Sequence, residues 1–218
     1  MTLKSRLIFF AALIFVSVQT QAQNLPVLVD LAKEQKWQEL ASLLEDGLNP
    51  NAIYGDGTTA LHWASYHDNS DAIENLLSAN ANVNATTDLG VTPLWLAAEN
   101  GNSDAVDILL AAGADPRIQL LSGETAIMTA AQAGNGDVVR SLLRAGGDPN
   151  ISVTREQTAL MWAAARGHAS VVEALLEYGA DVEAISLVRE QYVKSEKEQD
   201  SHPSYKYWIE QGGNLSLI

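Results

Sequence analysis

Four segments of the chain align without a gap at a spacing of 33 residues: "TALHWASYHDNSDAIENLLSANANVN" from Thr59, "TPLWLAAENGNSDAVDILLAAGADPR" from Thr92, "TAIMTAAQAGNGDVVRSLLRAGGDPN" from Thr125 and "TALMWAAARGHASVVEALLEYGADVE" from Thr158. A fixed period of this length makes each segment one supersecondary unit that cannot bury its own apolar face, so neighbours must stack into a solenoid. The register continues outward in weaker form. Pro26 stands at the threonine position of an earlier unit, with Leu43, Leu44, Gly47, Asn49 and Asn51 in phase. Gln191 stands at that of a later one, with Trp208, Ile209, Gly212 and Asn214 in phase. Outermost units need a more polar outer surface, and both ends carry amphipathic or charged sequence.

Each position in the unit has a physical reason. The threonine suits a helix N-cap, where its hydroxyl accepts from an otherwise unpaired backbone N–H, and Pro93 then sits at the first helical position, where a missing N–H costs nothing. Ala64, Ala97, Ala130 and Ala163, followed by Ser65, Ala98, Ala131 and Ala164, keep one face of a short first helix small enough for close contact. Gly101, Gly134 and Gly167, with Asp68 in the same place in the first unit, supply the left-handed residue that ends it. A second helix follows, with apolar residues at helical spacing such as Ile73, Leu76 and Leu77, or Val139, Leu142 and Leu143. It ends at Asn80, Gly113, Gly146 and Gly179, and an Asx residue two positions later (Asn82, Asp115, Asp148, Asp181) favours a turn.

Taken together, the period of 33, the "TALHWA" and "TPLWLA" openings, the G-N or G-H turn and the "LL..GAD.N" close resemble the ankyrin repeat, over roughly residues 26–215. The resemblance implies an all-α repeat solenoid of helix-turn-helix units joined by hairpin loops, with four clear repeats between two degenerate capping units. Trp95, Met128 and Met161 replace the pattern's histidine, and Glu156 replaces the glycine before the fourth threonine. The expected layout is a leader at 1–22 and an ankyrin domain at 23–218. Within it lie an N-terminal cap at 26–55, repeats at 56–88, 89–121, 122–154 and 155–187, and a C-terminal cap at 188–218.

The leader is read from Lys4 and Arg6, the apolar run Leu7 to Val18 interrupted only by Ser17, and the small residues before a break after Ala22. This is a secretory signal peptide pattern, too short to span a bilayer, which needs about 20 residues. The sequence therefore predicts export, to the periplasm of a Gram-negative bacterium or alternatively by secretion, with no stable membrane insertion after cleavage. An exported chain meets an oxidising compartment, yet this one has no cysteine, so packing must hold the fold. The formal net charge is −14, and cleavage would remove two positive charges and no negative ones. Such a surface repels phosphate backbones, which argues against nucleic acid and is compatible with a basic protein partner.

The stretch "TALHWASYHDN" (Thr59 to Asn69) concentrates two histidines, a tryptophan, a tyrosine and an aspartate. His62 and His67 are five residues apart, so on a helix they point roughly 140° away from each other, whereas metal-binding helices use spacings of three or four. No metal or cofactor is expected. No nucleophile elbow, phosphate-binding glycine loop or cysteine nucleophile is present, and Ser65 beside His62 holds a packing position taken elsewhere by alanine. Catalytic residues are accordingly expected to be none. The alternatives are a hydrolase using His67 with a carboxylate such as Glu99, and a structural module that assembles with itself.

Binding is the leading expectation. In ankyrin repeats partners contact the hairpin tips and the exposed side of the first helices. Carried onto this chain, that surface comprises Trp63, Tyr66, His67, Leu89, Leu96, Glu99, Asn100, Leu121, Gln132, Arg155, Trp162 and Arg166, with Leu120 and Leu121 forming an exposed apolar pair. Aromatic residues and arginine are the types enriched at interface hot spots. Trp63 and Trp162 could equally be framework, since large aromatics serve both purposes. Tyr66, His67 and Arg166 vary from unit to unit, which suggests that packing does not dictate them. The expectation is a monomeric, non-enzymatic module on an elongated, slightly curved scaffold, protecting or inhibiting an exported enzyme.

Overall fold

Thr59, Thr92 and Thr158 sit in extended backbone and accept, through their hydroxyls, the N–H of the residue three positions on, so each opens a helix where the sequence places one. Thr125 has the same extended dihedrals, but its hydroxyl makes no capping bond and is buried without a partner. The computed structural model describes residues 26–153 and 156–184. Among them the chain forms five helix pairs. The N-terminal unit holds α1 (Val27–Lys33) and α2 (Trp37–Glu45). The first repeat holds α3 (Ala60–Tyr66) and α4 (Ser70–Ser78), and the second α5 (Pro93–Asn100) and α6 (Ser103–Ala111). The third holds α7 (Ala126–Ala133) and α8 (Gly136–Arg144), and the fourth α9 (Ala159–Arg166) and α10 (Ala169–Glu177). The leader and the C-terminal unit lie outside the described residues.

Stacking turns this order into two layers. The first helices α1, α3, α5, α7 and α9 pack in a row, each on the next, and the second helices form a parallel row behind them. Small residues make the front row possible: Ala64, Ala97, Ala130 and Ala163 are wholly buried, as are Ser65, Ala98 and Ala131, while Ala164 is half-buried. Leu61, Ile73, Leu76, Leu94, Leu109, Ile127, Met128, Leu142 and Leu175 fill the space between the rows. Fully burying a side chain of this size contributes roughly 1.5–3 kcal/mol, so the continuous apolar seam is what holds a chain without disulfides together.

Between the helix pairs the chain turns back in short hairpins. Tyr54 with Thr58, Thr87 with Val91 and Leu120 with Glu124 each pair their backbones, and in the last hairpin β1 (Ser152–Val153) pairs antiparallel with β2 (Gln157–Thr158). Adjacent hairpin tips also bond to each other: Asp88 N donates to Asp56 O at 2.8 Å and Leu121 N to Leu89 O at 3.0 Å. Gly57 has φ +83°, and a Cβ there would lie 2.8 Å from the Thr86 carbonyl oxygen of the next tip. Glycine is therefore demanded twice at this position, by conformation and by space. Glu156 occupies the corresponding place in the fourth repeat and carries φ +57° with a side chain attached.

A second line of polar contacts joins successive units. Asn84 donates to Gly113 O (3.1 Å) while its Oδ1 accepts from Asp115 N (2.8 Å); Asn51 does the same to Asn80 and Asn82, and Asn150 to Gly179 and Asp181. Arg117 interrupts the series: its guanidinium turns to Asp115 of its own unit (3.0 Å).

Candidate functional site

Helix α3 is seven residues long, and its capping fixes which side chains it can present. His62 Nδ1 lies 3.2 Å from the Thr59 N–H and 2.8 Å from its hydroxyl, while Nε2 lies 3.0 Å from Val91 O in the next repeat. A carbonyl can only accept, so Nε2 carries the proton and Nδ1 accepts from Thr59. Burial holds the His62 imidazole below its ordinary titration range, with the Val91 bond and the charge of Asp56 opposing that shift. His62 is thus a neutral clasp between two repeats and is not free to act as a ligand or base.

One turn on, an aromatic cluster faces away from the seam. Trp63 meets Tyr66 edge-on (centroids 5.7 Å, 87°), lies nearly parallel to His67 (5.8 Å, 23°), and Tyr66 meets His67 at 5.2 Å and 72°. Trp37, from α2 of the preceding unit, closes on His67 edge-first at 6.0 Å, and Lys33 Nζ stands 5.7 Å from the Trp63 ring centroid. Such ring pairs contribute about 0.5–1.5 kcal/mol each beyond buried area, so the four rings support one another as a platform. Tyr66 remains 51% exposed on top of it, while Trp63 and His67 are half-buried. Trp63 is thus both framework and surface. His67 Nε2 is buried with no hydrogen-bond partner among the described residues, and its neighbours are aromatic rings, not Glu99.

Beside this platform, between the first and second hairpin tips, runs a groove of about 350 Å³. Trp63, Tyr66 and Leu96 contribute apolar surface from the helices, and Asp56, Asp88 and Leu89 contribute from the tips. Hydrogen bonds from the backbone and side chain of Thr58 lower the Asp56 pKa, with the turn bond from the Thr58 N–H measuring 3.0 Å. Leu89 is 66% exposed at the rim, and Leu121, which follows it along the tips, is 77% exposed.

The other expected residues divide according to what they touch. Glu99 is exposed, and Trp162 is half-buried two repeats away from the groove. Asn100 is exposed but occupied: its Nδ2 donates to Tyr66 O (2.7 Å) and Asp68 Oδ1 (3.1 Å), closing the C-terminus of α3. Arg166 acts in the same way, donating to Gln132 O at 3.2 Å, the carbonyl that His168 Nε2 also meets. Variation at these positions therefore reflects different ways of capping the previous helix, as well as freedom from the core. Leu120 is half-buried, because successive residues of an extended hairpin point to opposite faces and only Leu121 can stand clear. Arg155 lies outside the described residues.

Trp37 and Lys33 are the members of the cluster that sequence reasoning missed. Lys33 corresponds to Tyr66 one period earlier, which is the signal that would have placed it on the same face.

A family model described as ankyrin repeats (3 copies) matches residues 28–119 and 94–186. The chain is an ankyrin-repeat protein. No curated protein matches it significantly. Ankyrin repeats are generally protein–protein interaction modules and typically non-enzymatic. Among the described residues no helix is long and apolar enough to cross a membrane, and no three His, Cys, Asp or Glu side chains converge as a metal site would require.

Proposed function

We propose that the mature protein is an exported, monomeric binding module, periplasmic in a Gram-negative bacterium, that grips a protein partner through its first helices and hairpin tips. Its partner is an exported enzyme that it protects or inhibits. One observation carries the reading: Tyr66 and Leu89, 51% and 66% exposed, line an apolar groove together with Trp63 and Leu96. Exposed large apolar side chains around a concavity mark contact sites more often than they mark isolated surface residues. The chain's net charge of −14 favours a partner of opposite sign and disfavours nucleic acid.

The test uses the mature chain as bait in an extract of its own compartment, beside a Tyr66→Ala/Leu89→Ala variant. Because both side chains are largely in solvent, the variant should melt as the parent does, while losing at least tenfold in capture of the same partner. Equal capture by the two would remove this surface from the account.

A further inference from the structure

We propose that the groove between the first two hairpin tips receives a lysine or arginine side chain of the partner, with its aliphatic stem along Trp63, Tyr66 and Leu96 and its cation between Asp56 and Asp88. This deepens the binding reading above and rests on it.

The lining is the first reason. Two carboxylates stand over an aromatic and aliphatic floor, and none of the described residues that line the groove is a lysine or arginine. A long basic side chain has the matching form, an apolar stem with a charge at its end. Position is the second. Asp88 N donates to Asp56 O at 2.8 Å, so the two aspartates are carried on tips that are bonded to each other. Both side chains are on exposed residues, and neither makes an ion pair with any described lysine or arginine. A cation entering the groove would meet a carboxylate from each tip and gain charge-assisted hydrogen bonds from both. The doublet belongs to this junction alone among the described tips. At the next one the bonded tip residues are Leu89 and Leu121, which offer no charge.

The aromatic platform adds a third reason. Lys33 Nζ already lies 5.7 Å from the Trp63 centroid, so the cluster stabilises a cation within the chain, and Lys33 is not among the groove's lining residues. The exposed Tyr66 ring offers an incoming cation the same kind of face. A phosphate-bearing or purely apolar occupant would leave the aspartates uncompensated. The Asp56 carboxyl, held ionised by Thr58, cannot escape that cost by taking up a proton near neutral pH.

N-acetyl-arginine amide and N-acetyl-citrulline amide, which differ by the charge, provide the test. Each is titrated into the full mature chain while the Trp63 indole N–H resonance is followed by NMR. The arginine amide should shift it saturably and bind at least about tenfold more tightly than the citrulline amide. The Asp56→Asn/Asp88→Asn variant should abolish that preference. Asparagine at 56 retains an Oδ1 to accept the Thr58 N–H, so unchanged resonances elsewhere will show that the tips keep their form. Equal response to the two amides, or an undiminished preference in the double variant, would overturn the proposal. Partner capture separates it from the reading beneath it. If Tyr66→Ala/Leu89→Ala loses the partner and Asp56→Asn/Asp88→Asn does not, the basic anchor falls and the binding surface stands. If neither variant loses the partner, both fall.

Discussion

Where the first repeat meets the second, His62 donates to Val91 O, Asn84 clamps Gly113 and Asp115, and Asn100 caps the end of α3. Where the second meets the third, each of those places is filled differently. Trp95 stands in the histidine position with its indole nitrogen buried and unpartnered, Arg117 turns to its own Asp115, and Ala133 in the place of Asn100 has no side chain that could cap α5. The helices nevertheless pack alike, with Leu94, Ala97, Ile127, Met128, Ala130 and Ala131 buried between α5 and α7 or against the second helices. Apolar packing with the single tip bond from Leu121 N to Leu89 O thus stacks these two repeats without the side-chain stitches. Polar stitches add direction, since a hydrogen bond is made only in one geometry, and the side-chain stitches that recur at the other junctions lapse at this one.

The contrast can be broken most forcefully at His62. His62→Met would give the first junction the side chain that the third and fourth repeats use, leaving the Thr59 N–H and the Val91 carbonyl without their partner. A loss of about 1–3 kcal/mol is expected, read as a lower midpoint in urea unfolding. The parent should also show an acid dependence that the variant lacks. The folded His62 pKa is depressed by burial, whereas the unfolded imidazole titrates near about 6.5, so only the unfolded chain gains a proton as pH first falls below that value. Stability from this residue is therefore complete above about 6.5, declines below it, and levels off once the folded pKa is passed. Superimposable pH profiles would show that His62 is not the clasp.

A smaller effect is expected at the fourth repeat, where Glu156 holds φ +57° in the place that Gly57, Gly90 and Gly123 take elsewhere. Glu156→Gly should stabilise by about 1 kcal/mol, because a left-handed conformation costs an L-residue roughly 1–2 kcal/mol that glycine avoids, less the added freedom of glycine when unfolded. For a chain of this size that is a rise in melting temperature of about 2–4 °C. The smallest change sharpens the comparison directly. Arg117→Asn should restore the missing clamp onto the third repeat, gaining about 0.5–1 kcal/mol while giving up an exposed ion pair of little value. Faster amide exchange at Asp148 of the parent than of the variant would confirm where the gain arises.

Most of the fold was legible because it depends on residues repeated at fixed spacing: the threonine caps, the left-handed turn at Asp68, and the alanine face of the first helices all follow from the period. What escaped depended on contacts between units. Nothing in the local sequence of Asn100 or Arg166 shows that its acceptor is a carbonyl at the end of the previous first helix, 34 residues away. Trp37 was hidden for a related reason: it lies in the degenerate first unit, and only stacking brings it against His67. Leu120 was misplaced because hairpin alternation, which decides the exposed member of a pair, needs a register that the turn sequence alone did not fix.

Backbone amide exchange of the protein with its captured partner bound tests the central claim most directly. Protection is expected to rise at the tips around Asp56 and Asp88 to Leu89, and around Tyr66 at the end of α3, with little change along the second helices that carry Asp71, Glu74, Asp104 and Asp107. Protection confined to those second helices, with the first two tips unchanged, would contradict it.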